Sequence, residues 1–212
     1  MALSTIHPDR LHEGARIIPI SVHQYDRMID AGILPEGAPI ELIDGMLVLK
    51  DRSKAGEDIM TVGNEHTWAV KVVGRADERL RPLGCHMQTQ APVIVSSNRE
   101  PEPDGAVLIG SEDDFLRRKP RATDVTCIIE VADSSLDFDR TTKQSAYAEA
   151  GIRQYLIINL IDNVIEERLS PDPGSGRYGS LRALHVGEML ELLLGGSDRL
   201  AVKVGDWLPP TI

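Results

Sequence analysis

Short apolar runs separated by polar breaks predict most of the elements of this chain. Ser21-Val22-His23-Gln24 has the Ser and Gln spacing of a capping box, and Gly32 can end the helix that starts there. Ile40-Glu41-Leu42-Ile43 and Met46-Leu47-Val48-Leu49 are apolar runs joined by Asp44-Gly45, the signal of a β-hairpin. A long helix is expected from Gly63 to around Leu80, with Trp68, Val72 and Leu80 facing inward. Strands follow near Cys85–Val95, Gly105–Ile109 and Val125–Val131. A helix from around Phe138 to Ala150 stops at Gly151, and Tyr155–Leu160 reads as another buried strand. Ser170–Gly176 is a turn-rich loop within a C-terminal β-region, and Gly195–Asp198 is a turn between its strands. Residues 1–20 read as an extended arm that Ile17, Ile18 and Ile20 could anchor, ahead of a single domain over 21–212. The order helix, hairpin, helix, strands, helix, strand predicts an α+β fold, a mixed β-sheet flanked by helices with a C-terminal β-rich extension.

Composition narrows the classes. With 212 residues, 42% hydrophobic and 26% charged, the chain has ample material for a core and little reason for disorder away from its ends. A formal net charge of -10 argues against a broad basic footprint on nucleic acid, while leaving room for a compact site. Arg117, Arg118, Lys119 and Arg121 form the densest basic cluster, which reads as a solvated loop. No stretch approaches the roughly 18 apolar residues of a membrane helix, and the N-terminus lacks the pattern of a secretion signal. Cys85 and Cys127 are too few and too isolated for a disulfide framework. A cytoplasmic location is therefore expected. The six histidines lack metal-ligand spacing, although His66 lies near the start of the long helix and could approach a site. No phosphate-binding loop, dinucleotide fingerprint or nucleophile elbow is present. Aromatics at 4% leave little for a single-strand stacking platform.

The most informative feature is Glu130, near the end of the run Val125-Thr126-Cys127-Ile128-Ile129-Glu130-Val131. Such a run reads as a strand buried on both faces, where a carboxylate is costly unless a cation or hydrogen-bond donors meet it. Thirteen residues later, Lys143, Ala146, Tyr147 and Ala150 fall at i, i+3, i+4 and i+7, so the lysine lies on the core-facing stripe of its helix. Asp104, in Glu102-Pro103-Asp104-Gly105, precedes another apolar run. Two acids and a lysine converging on strand ends suit metal-dependent phosphodiester hydrolysis. Plainer readings stand beside this one. Glu130 and Lys143 could be a structural ion pair, Asp104 a turn residue and Glu41 a solvent-facing strand position. Asp139 could cap the helix of Lys143, and Tyr147 and Tyr155 read as core or supporting residues.

Glu41-Leu42-Ile43-Asp44-Gly45, Pro103-Asp104, Ile129-Glu130-Val131 and Asp139-Arg140 with Lys143, Tyr147, Ala148 and Gly151 resemble the Uma-type putative restriction endonuclease family, within the PD-(D/E)XK nuclease superfamily. The resemblance runs from around residue 18 to the C-terminus and implies a restriction-endonuclease-like core. It also implies an Mg²⁺-dependent DNA endonuclease, with Mn²⁺ a possible substitute, in which Asp104 and Glu130 hold the cation. The Val131 backbone carbonyl would be a further ligand, and Glu41 an additional acid completing the metal shell. Lys143 would orient or deprotonate the attacking water, or neutralise charge building on the phosphate. One departure is Ala132, where a direct E-x-K motif would place lysine; the Uma-type pattern supplies it from the following helix. The expected partners are DNA, a divalent metal and a second copy of the chain, since two sites would suit duplex cleavage. The alternative is a nuclease-fold protein that binds nucleic acid or protein without efficient cleavage.

Overall fold

The computed structural model describes residues 17–35, 37–49 and 63–210. Helix α1 (Val22–Asp30) starts at the predicted capping box: the Ser21 hydroxyl accepts from the Gln24 N–H, and the Gln24 side chain accepts from the Ser21 N–H at 2.9 Å. Strands β1 (Ile40–Ile43) and β2 (Met46–Leu49) pair antiparallel through Asp44 and Gly45, whose φ values of 53° and 73° suit the mirror-image turn of a two-residue hairpin. Gly45 is also required for space, because a Cβ there would lie 2.3 Å from the Pro19 Cβ. Ile20 packs on Val22, Tyr25 and Leu42, whereas Ile17 and Ile18 are exposed and do not anchor the arm. Residues 1–16 of the arm expected over 1–20 lie outside the described residues.

The predicted long helix is two helices, α2 (Asn64–Gly74) and α3 (Asp77–Leu80). Beyond Gly74, whose backbone freedom weakens a helix, Arg75 and Ala76 form tighter three-residue bonds to Val72 and Val73. Val72 and Leu80 are buried as expected, but Trp68 is 37% exposed.

Six strands form a mixed sheet in the spatial order β3 (Cys85–Gln88), β4 (Gly105–Ile109), β5 (Val125–Ala132), β6 (Gln154–Asn159), β7 (Val164–Asp172) and β8 (Arg177–Leu184). Only β5 and β6 are parallel, and a helical crossover joins them. Strand β3 stops at Gln88, short of the expected Val95; Pro92 follows, and Ile94 makes only an isolated bridge to Arg121. The first part of the loop expected over 170–176 is strand, since β7 continues through Pro171 to Asp172 with Ser170 at φ 61°, and residues 173–176 form the turn into β8. The C-terminal extension is a separate hairpin of β9 (Met189–Leu193) and β10 (Arg199–Lys203), closed by the Leu194 N–H bonding to the Asp198 carbonyl.

The sheet separates two cores. On one face Val107, Cys127 and Ile129 meet Ala69 and Val73 of α2 and Leu190 and Leu192 of the C-terminal hairpin. On the other, Ala106, Leu108, Ile128 and Ile157 meet Tyr147 and Ala148. All eight residues of β5 are buried, as its apolar run predicts. Among the described residues no helix is long and apolar enough to cross a membrane.

The crossover is not one regular helix. Between α4 (Leu136–Phe138) and α5 (Gln144–Glu149), residues Asp139–Lys143 form a widened π-helical turn, in which the Gln144 N–H reaches back to the Asp139 carbonyl. That carbonyl also accepts the Tyr155 hydroxyl at 3.0 Å. Arg140 ties the same turn to the sheet through Glu166, at 2.5 Å, and Arg168 bonds Glu166 from β7 at 2.7 Å. Burial pushes the Glu166 carboxyl up, but bonds from Arg140, Arg168 and Asn159 outweigh it and lower its pKa from 4.5 to about 2. Because the folded-state value is depressed, this stabilisation is complete above pH 4.5 and fades as pH falls towards 2. Glu166→Gln should therefore be less stable than the wild type in denaturant melts at neutral pH. The gap should narrow steadily below pH 4.5; a gap independent of pH would contradict the assignment.

Candidate active site

The register of β4 and β5 pairs Gly105 with Ile129 in antiparallel fashion. The next residues outward, Asp104 and Glu130, therefore lie across from each other at one end of the sheet and on one face. Both are buried, and the Val131 N–H donates to Asp104 Oδ2 at 2.9 Å. Asp104 is thus tied to the neighbouring strand and is not an ordinary solvated turn residue.

Lys143 arrives from the widened turn of the crossover and is only 3% exposed. Its ammonium donates to Glu130 Oε1 at 2.9 Å, and the Tyr147 hydroxyl donates to the same oxygen at 2.7 Å. Lys143 Nζ also lies 3.4 Å from Glu41 Oε1 and 3.9 Å from Asp139 Oδ1. Burial alone would lower the Lys143 pKa, but Glu130, Glu41 and Asp139 outweigh it and hold the group well above its usual value.

Glu41 is not a solvent-facing strand position, being 1% exposed. Its Oε1 accepts the Glu102 N–H at 2.7 Å, and a bridge between Leu42 and Glu100 docks the β1–β2 hairpin on the segment leading to β4. Alternation with Ile40 and Leu42 could not reveal that this segment covers the other face of the strand.

Asp139 is not a helix cap either, because the helix begins earlier, with Ser135 at the N-cap position. Its carboxylate is buried beside Lys143 and accepts the Ser135 hydroxyl at 2.6 Å. Burial raises its pKa, against the opposing pull of Lys143 and Ser135. The i, i+4 spacing of Asp139 and Lys143 was the available signal that both share the inward stripe. His66, in the first turn of α2, joins the group: its Nε2 lies 3.2 Å from Asp104 Oδ2, while its Nδ1 is buried without a hydrogen-bond partner.

The structure therefore brings Asp104, Glu130, Lys143, Glu41 and His66 to one end of the sheet and adds Tyr147 and Asp139. Two members of the basic cluster are engaged elsewhere. Arg118 pairs with Asp124 at 2.6 Å, and Lys119 pairs with Asp26 and Glu100 at 2.5 Å.

Among the described residues no group of three or more His, Cys, Asp or Glu side chains is arranged to hold a metal ion. That does not suit a structural zinc site, which needs four protein ligands. In general Mg²⁺ keeps several waters and takes one or two carboxylates together with substrate phosphate. Asp104 and Glu130 supply hard carboxylate oxygens at adjacent strand ends and so fit that mode.

The chain matches the family model Uma2, described as a putative restriction endonuclease, over residues 22–203. No curated protein matches it. Among solved structures it is similar to a putative nuclease of the DUF820 group from Anabaena variabilis, with a TM-score of 0.63 and 14% identity, covering 89% of this chain and 97% of that one. At that identity the likeness concerns the fold. The family match takes in both strand ends, the crossover and the hairpin that carries Glu41, and the chain belongs to the Uma2 family of putative restriction endonucleases.

Proposed function

We propose that this nuclease-like protein is a metal-dependent DNA endonuclease, with Asp104 and Glu130 as metal-holding carboxylates and Lys143 as the cationic member of the site. The observation that carries the reading is that Asp104, one residue beyond the Gly105–Ile129 pair, accepts the Val131 N–H next to Glu130, with the Lys143 ammonium seated on Glu130. Mg²⁺ or Mn²⁺ bound there would polarise the scissile phosphate and acidify a water. Glu41 and the Val131 carbonyl are the nearby oxygens proposed to complete the shell. In the reaction the water oxygen bonds to phosphorus, the bond to the leaving sugar oxygen breaks, and one water proton ends on the new hydroxyl. Lys143 contributes positive charge beside the pentacovalent phosphate, where anionic charge builds. A homodimer would present two such sites to a duplex.

The tight internal pairing of Glu130 favours one alternative, a nuclease fold that binds DNA without cutting it. Cleavage separates the two. The purified protein should nick supercoiled plasmid when Mg²⁺ or Mn²⁺ is added, and Glu130→Ala should abolish nicking. Equal nicking by wild type and Glu130→Ala would remove Glu130 from the chemistry. DNA binding without nicking in either metal would favour the alternative.

Lys143→Met separates a cationic role from a packing role. It should reduce cleavage by about 10²- to 10³-fold, the usual effect of removing one charge-stabilising donor. It should also lower the unfolding free energy by about 3–5 kcal/mol, because Glu130, Glu41 and Asp139 lose the ammonium they surround. Full activity in this variant, read by the same plasmid assay, would assign Lys143 to structure alone.

A further inference from the structure

We propose that Tyr147 is a positioning residue that sets the metal affinity of Glu130, an inference that rests on the nuclease reading above. Two donors meet a single oxygen, Glu130 Oε1: Lys143 Nζ at 2.9 Å and the Tyr147 hydroxyl at 2.7 Å. They are not equivalent. The Lys143 ammonium is a compact charge with three rotatable donors, and it sits within 4 Å of Glu41 and Asp139 as well. A cation shared in this way attracts several carboxylates without choosing the orientation of any one. The Tyr147 phenol has one O–H, on a rigid ring, aimed at Glu130.

That ring cannot swing away. Tyr147 is buried among apolar side chains, its centroid lies 5.0 Å from that of Tyr155, and Tyr155 lies 6.1 Å from Tyr178. The other two hydroxyls of this stack serve the backbone: Tyr155 donates to the Asp139 carbonyl and Tyr178 to the Ile152 carbonyl at 3.0 Å. Only the first ring of the stack spends its hydroxyl on a site carboxylate. The terminal torsion of a glutamate is broad, so an unheld Glu130 would present its oxygens over a wide arc. With Oε1 fixed by a directional donor, the plane of the carboxylate is set, and with it the direction in which the second oxygen is presented. Donors of this kind, one step removed from a metal, govern its affinity.

A core tyrosine whose hydroxyl merely needed a partner would show the same contacts, so the test uses Tyr178 as an internal control. Calorimetric titration of the full chain with Mn²⁺ compares the wild type with Tyr147→Phe and Tyr178→Phe, and thermal melts report on folding. Tyr147→Phe keeps the ring and should weaken Mn²⁺ binding by about 10- to 100-fold. Tyr178→Phe removes a hydroxyl from the same stack and should leave the affinity at the wild-type value. Unchanged affinity in Tyr147→Phe overturns the proposal, as does equal weakening in the two variants, which would reflect general loosening of the core. A wild-type chain that binds no Mn²⁺ overturns the nuclease reading itself, and the positioning role with it.

Discussion

One buried ammonium holds this end of the molecule together. Lys143 lies within 4 Å of carboxylate oxygens from β1, β5 and its own helical turn, and each of those elements reaches it from a different part of the chain. Desolvating a lysine and three acids is unfavourable by several kcal/mol per ion unless attraction and hydrogen bonds offset it. The Glu102 N–H on Glu41, the Tyr147 hydroxyl on Glu130 and the Ser135 hydroxyl on Asp139 supply those bonds. The two cores on either side of the sheet provide the remaining stabilisation, since fully burying a Leu or Ile side chain contributes about 1.5–3 kcal/mol. The charged end is thus carried by the apolar sheet behind it.

Much of this was legible in the sequence where the signal is local. The capping box at Ser21, the Asp-Gly hairpin and the apolar run of β5 each carry their own instruction, and each folds accordingly. The inward phase of Lys143 is a property of one helix and was equally readable. What failed depends on partners distant in sequence. For Glu41, alternation leaves a solvent-facing position and a site role equally open, because it shows which residues share a face, not what covers it. Asp139 looked like a cap because Asp is favoured at helix starts, but Ser135 begins the helix instead. Trp68 is expected inward with Val72 and Leu80, yet α2 meets the sheet through Ala69 and Val73. The strand expected to reach Val95 ends where the pairing of β3 with β4 ends.

Net charge takes on a clearer meaning against this arrangement. The chain carries a formal charge of -10, and Arg118 and Lys119 of its densest basic cluster are engaged with acids of its own. Under the proposed function, the bound divalent ion would add positive charge next to the scissile phosphate. This differs from proteins whose broad basic faces hold nucleic acid everywhere along its length.

The widened turn at Asp139–Lys143 bears on how such sites are found. A π-helical turn accommodates an additional residue locally, so the segments on either side can keep the faces they present to the sheet. The number of residues between the strand-end acid and the helical lysine is then not a ruler of the distance between them. A chain one residue shorter could close the turn into ordinary α-helix and still seat its lysine on the same glutamate. Motif patterns with a fixed gap would pass over such chains, whereas the geometry of an acid on a strand end beneath a helical cation would recognise them.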